Sequence, residues 1–169
     1  MKRFFQLGLL AFLAILPLAA TADPQPVRLA EMQHMPAELI VVGGDGTEVE
    51  YSPEDLEQLP TYSLQTTTPW RDVPANFEGV LLKDILEANG LVDAEAITVT
   101  AENDFEVTIP REIWTELDVL VATRVDGAPH SRRARGPIQF VIEMDSYAAS
   151  RVVREDHLVW MAARIEAAE

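Results

Sequence analysis

Beyond residue 22, the apolar residues of this chain fall in short runs that turn chemistry keeps interrupting. Leu39-Ile40-Val41-Val42 stops at Gly43-Gly44-Asp45-Gly46, the run 97–101 at Glu102-Asn103-Asp104, and the run 119–125 at Asp126-Gly127. Runs this short, rich in Val, Ile and Thr and closed by Gly, Asn or Asp, form strands and tight turns rather than long helices. The strands 38–42 and 47–51 around the glycine-rich turn read as a hairpin. That glycine run is not a phosphate-binding loop, because it lacks the following Lys-Ser/Thr and opens no helix.

Helical patterns are fewer and equally short. Ser52-Pro53-Glu54-Asp55 is a helix start, with Ser52 as cap, Pro53 in the first turn and Asp55 three residues after the cap. This helix ends near Leu59, ahead of Pro60. Residues 80–90 predict an amphipathic helix stopped by Asn89-Gly90, and residues 110–116 another short one. Residues 61–68, 97–101, 105–109, 119–125 and 138–142 predict strands, and 69–74 an irregular connection. Residues 147–168 read as a helix, or as a short helix and a terminal strand. The whole predicts one mixed α+β domain over 38–169 with a mainly antiparallel sheet. A polar, Pro-containing flexible leader is expected at 23–37.

Residues 1–22 have the three parts of a secretory signal: Lys2 and Arg3, an apolar stretch from Phe4 to Leu18, and Ala20-Thr21-Ala22 for cleavage. The stretch is short for a membrane span, so a cleaved signal peptide and a periplasmic protein are expected, with no membrane insertion afterwards. Cysteine is absent, which removes disulfides and thiolate metal sites. The chain carries −15, and because residues 1–22 hold two cations and no acid, the remainder carries −17. That charge argues against nucleic acid and anionic membranes as partners. Against it, Arg124, Arg132, Arg133 and Arg135 are crowded together: an anion site, or a loop that balances nearby acids. His34, His130 and His157 are not spaced as metal ligands, and no serine sits in a nucleophile elbow.

The segments "YSPEDLEQLP", "TTTPW", "FEGVLLKDILEANG", "AENDF", "IP" and "GPIQFVIEMD" follow one another between Leu39 and Asp145. In that order they resemble the oxidoreductase molybdopterin-binding domain, which has the sulfite oxidase fold. Catalytic members of that family hold molybdenum through a cysteine, with a Trp four residues later in several relatives. That spacing assigns the ligand position to Thr66, four before Trp70. A threonine hydroxyl is a poor soft donor, so the resemblance implies a pterin site without molybdenum.

A flat heteroaromatic ring is held by an aromatic on its face and polar groups at its edge. For this the resemblance implies Trp70 as platform, flanked by Thr66, Thr68 and Arg71. Asn103 and Phe105 stand where the family often has Asn-Gly-Tyr; Asn103 equally suits a hairpin turn, and Phe105, like Trp114, equally suits the core. Arg133, Arg135 and Gly136 match the family's basic stretch before Gly-Pro, which helps hold a cofactor phosphate. Asp145 could meet the guanidine-like edge of a pterin or cap the helix of Tyr147. Small exported relatives without the cysteine bind a tetrahydropterin-like ligand and act with the periplasmic domain of an inner-membrane GGDEF/EAL-type protein that makes or degrades cyclic di-GMP. The resemblance therefore implies a pterin-loaded sensor without catalytic residues. The alternative is a molybdopterin-dependent oxidoreductase subunit that holds its cofactor without a cysteine.

Overall fold

In a computed structural model, which describes residues 23–168, the chain forms two sheets with short helices between and beside them. The expected signal peptide lies outside the described residues. In chain order the elements are β1 (Gln25–Pro26), β2 (Leu39–Val42), β3 (Glu48–Tyr51), α1 (Pro53–Leu56), β4 (Thr61–Thr68), β5 (Arg71–Leu81) and α2 (Leu82–Ala88). There follow β6 (Ala96–Ala101), β7 (Glu106–Pro110), α3 (Arg111–Glu116), β8 (Leu120–Val125), β9 (Ala128–Pro129), β10 (Gln139–Val141), α4 (Met144–Ala149) and β11 (Ala162–Ala167). Single turns of 3-10 helix at Arg132–Ala134 and Glu155–His157 complete it. One sheet runs β1-β4-β5-β8-β10 with β9 on β8, and the other β3-β2-β11-β6-β7. Every pair is antiparallel except β11 with β2, so the fold class is the expected mainly antiparallel α+β.

The main core lies where α1, α2 and α3 and both sheets meet, around Leu39, Leu56, Ile85, Ile97, Ile113, Phe140 and Ile165. A second cluster, with Leu64, Phe77, Leu81, Leu120, Ala122 and Val141, involves only β4, β5, β8 and β10. Neighbours such as Leu120 and Val121, or Phe140 and Val141, therefore belong to different clusters. A sheet covered on both faces needs unbroken apolar runs, which is why β8 and β10 do not alternate. Local capping follows the sequence. Ser52 Oγ accepts from the Asp55 backbone N–H (3.1 Å), and Asp55 accepts in return from the Ser52 N–H (3.0 Å).

Four expectations change. Residues 69–74 are not irregular: after the Pro69-Trp70 turn, β5 runs eleven residues. Its first half pairs only with β4, and β8 joins at Phe77, so Pro74 costs no ladder bond on that open side. The helix expected from residue 80 begins at Leu82, because Val80 and Leu81 finish the strand. The cap of α4 is Glu143, whose carboxylate accepts from the Ser146 N–H at 2.7 Å, and not Asp145. The leader 23–37 has little regular structure but lies on the domain. β1 pairs with β4, Arg124 donates to the Ala30 carbonyl (2.7 Å), and His34 is buried with its Nε2 3.0 Å from Glu57. Arg124, the earliest arginine of the crowded stretch, is itself buried in an ion pair with Glu57 and so belongs to this clamp.

Candidate functional site

Three loops, distant in sequence, converge at one end of the molecule. The β4–β5 turn carries Trp70, the β6–β7 turn carries Asn103 and Phe105, and residues 154–160 precede β11. The β6–β7 turn is locally determined. Asp104 takes a left-handed conformation (φ 63°), and Asn103 Oδ1 accepts from the Phe105 N–H at 3.3 Å, which turns Phe105 outward to 42% exposure. Trp70 Nε1 donates to Glu155 Oε1 at 3.1 Å and ties the first loop to the third.

Between the loops lies a cleft of about 510 Å³. Trp70, Phe105, Leu158, Val159 and Trp160 give it an aromatic and aliphatic lining, and Asn103, Arg154, Glu155 and Asp156 give it polar groups. Its size and mixed lining suit a flat, polar-edged heterocycle. A second cleft of about 310 Å³ adjoins it, sharing Trp70 and Trp160. Here the lining is cationic: Arg71, Arg132, Arg133 and Arg135. Arg71 is paired with Asp126 at 3.3 Å and Arg132 with Glu102. Among the described residues no carboxylate pairs with Arg133 or Arg135, so their charge remains for an anion.

The Arg135 guanidinium lies over both indoles, 4.5 Å from the Trp70 ring centre and 5.0 Å from that of Trp160. Its backbone is left-handed (φ 80°), as is that of Met161 (φ 56°), and the Met161 N–H donates to the Arg135 carbonyl at 3.2 Å. Each such residue stores about 1–3 kcal/mol, retained where packing over-determines the conformation, as it does beside these clefts. His130 and Gln139 form part of the smaller cleft's lining. His130 is 3% exposed, its Nε2 lies 2.8 Å from Gln139 Oε1, and its buried Nδ1 has no partner among the described residues. Burial pushes its pKa down, so the imidazole is neutral at pH 7.

Of the residues singled out from sequence, Trp70, Asn103 and Phe105 meet at the larger cleft, and Thr68, Arg71, Arg133 and Arg135 at the smaller, with Trp70 common to both. Thr66, Gly136, Asp145 and Tyr147 line neither. Thr66 is buried, and its Oγ1 accepts from the Met144 N–H at 3.0 Å, so it holds the start of α4. Gly136 serves packing, since a Cβ there would stand 2.4 Å from the His130 carbonyl oxygen. Asp145 lies in the first turn of α4, and Tyr147 packs against the main core. Trp114 is a core residue whose Nε1 donates to the Val92 carbonyl at 3.3 Å. The sequence reading missed Glu155, Asp156 and Trp160. The signal present was a tryptophan closing a loop just behind an Arg-Glu-Asp triplet.

Among the described residues this site offers molybdenum no protein ligand. The chain has no cysteine, the hydroxyl at the corresponding position is engaged by backbone away from both clefts, and no cluster of described His, Asp or Glu residues is arranged for a metal. The cleft residues do fit an aromatic ring with an anionic substituent.

No protein-family model matches the chain, and no curated protein matches it in sequence. Among solved structures, the chain is similar to the sulfane dehydrogenase SoxCD from Paracoccus pantotrophus, with 15% identity and a TM-score of 0.59. The likeness covers 81% of this chain and 39% of that one, so the chain spans well under half of that structure. At this identity the likeness concerns the fold alone, the α+β, mainly antiparallel architecture described above.

Proposed function

We propose that this protein binds a non-molybdenum, tetrahydropterin-like ligand in the periplasm and, loaded with it, regulates a membrane-bound cyclic-di-GMP enzyme through that enzyme's periplasmic domain. The observation that carries the binding half is Trp70. It is half-buried at the junction of the two clefts, with Arg135 on it from the cationic side and its ring also bordering the aromatic cleft. A pterin ring stacked in the larger cleft would place an anionic substituent toward Arg133 and Arg135 in the smaller. The partner half rests on the resemblance of the ordered segments between Leu39 and Asp145, and the export half on residues 1–22.

Mass spectrometry of the small molecule released when native protein is denatured tests the binding half. A pterin is expected. Protein that carries no heterocycle, and takes up none when reduced pterins are added, would sink it. Mixing the loaded and ligand-free protein with the periplasmic domain of a cyclic-di-GMP enzyme tests the partner half, and binding by the loaded form is expected.

The arginines also favour a second reading, a molybdopterin-dependent oxidoreductase subunit whose cofactor is held by its phosphate alone. Stoichiometric molybdenum in protein made by a cofactor-competent host would promote it.

A further inference from the structure

The larger cleft holds two acidic side chains, and the structure treats them differently. Asp156 is neutralised locally. Arg154 Nε lies 3.1 Å from its Oδ1, and Arg154 Nη2 donates to its Oδ2 at 3.2 Å. Glu155 has no cationic partner among the described residues. Its Oε1 accepts from Trp70 Nε1 at 3.1 Å, and among the described residues no group donates to Oε2. A free carboxylate oxygen is thus fixed at the rim of the indole, beside any ring stacked on it. Across the cleft, Asn103 commits its side-chain carbonyl to the Phe105 N–H at 3.3 Å, which leaves its NH2 group as a donor.

We infer that Glu155 is the specificity-determining residue of the aromatic cleft. Its carboxylate selects heterocycles that present two neighbouring N–H donors, the exocyclic amine and adjacent ring N–H of an aminopyrimidine edge, over rings with an oxygen at that place. The inference rests on the pterin reading proposed above and adds to it the chemical edge that is recognised. A charged acceptor facing two donors forms the stronger, charge-assisted type of hydrogen bond, whereas facing a ring carbonyl it is repelled. The rule applies because the other carboxylate of the cleft is already paired, and because Arg135 brings its positive charge to the cationic side of Trp70.

Calorimetric titration of the ligand-free full chain with pterin, and with its dioxo analogue lumazine in which oxygen replaces the exocyclic amine, tests this. The native protein is expected to prefer pterin by about tenfold or more, the scale of one charged hydrogen bond. Glu155→Gln keeps a carbonyl to accept from Trp70 Nε1 but turns the second atom into a donor, so it is expected to abolish or reverse the preference while lumazine still binds. Glu155 is exposed, so the variant should fold, and an unchanged melting temperature would confirm it. If the native protein binds both rings equally, or Glu155→Gln keeps the preference for pterin, Glu155 is not the selector and the stacking site stands. If neither ring binds, both this inference and the pterin reading are overturned.

Discussion

The two clefts that meet at Trp70 are built in opposite ways. The larger is aromatic, with carboxylates at its rim, and its walls come from loops joined by side-chain contacts such as Trp70 to Glu155. The smaller is cationic and rests on rigid backbone: Gly136 lying against the His130 carbonyl, a left-handed Arg135, and buried His130 and Gln139. An uncharged ring face gains from contact with any aromatic and tolerates adjustable walls. An anion is held by charges whose placement must be fixed, and fixed placement demands packed backbone.

Breaking the rigid cleft should have the largest effect. Gly136→Ala places a Cβ 2.4 Å from a backbone oxygen that cannot move aside cheaply. Overpacking of this kind costs about 1–3 kcal/mol, so the melting temperature should fall by several degrees, together with loss of any phosphate-dependent stabilisation. A variant as stable as the native chain would mean that the loop is not held against His130. Trp70→Ala removes the wall common to both clefts. With about 1–3 kcal/mol per stacked ring, pterin affinity should fall by roughly one to two orders of magnitude. Unchanged affinity would remove Trp70 as the platform.

Arg133→Ala sharpens the contrast. Arg133 is exposed and has no carboxylate partner among the described residues, so it should act only on anionic ligands. Affinity for a phosphorylated pterin should drop a few-fold and become less salt-sensitive, with an unphosphorylated pterin unaffected. Equal losses for both ligands would show that the clefts are not chemically separate. The smallest effect concerns pH. Burial holds His130 below the usual histidine pKa, so the unfolded chain binds the proton more readily than the folded one. Stability is therefore full above about pH 6.5, the unfolded value, and declines as pH falls below it. His157, also lowered by burial, adds to the same decline. His130→Gln should make melting temperature less dependent on pH between about 7.5 and 5.5, and an unaltered dependence would assign the effect to His157.

Much of the fold was legible in the chain because its signals are local. The capping box of Ser52 and Asp55, the Asn89-Gly90 stop and the turns at 103–104 and 126–127 each depend on neighbours a few residues away, and each forms as expected. Part of the lining of the candidate site was legible for a similar reason. Trp70, Asn103 and Phe105 sit in loops whose chemistry is odd for a core, and Arg133 and Arg135 form a dense run of charge. Thr66 shows the limit. Its spacing to Trp70 suggested a place in the cleft, but the start of α4, 78 residues on, takes its hydroxyl. Asp145 fails likewise, because Glu143, two positions earlier, supplies the cap.

By itself, the sequence determined most of the elements, the mixed α+β class and the lack of any thiolate to hold a metal, since propensity, capping and composition act over a few residues or none. The tertiary structure alone decided which side chains share a cleft. Trp70 meets Glu155 across 85 residues, and β11 inserts in parallel beside β2 to bring Trp160 to the site. Such meetings follow from strand register and sheet order, which are set by burial of the whole core and leave no mark in any single stretch of chain.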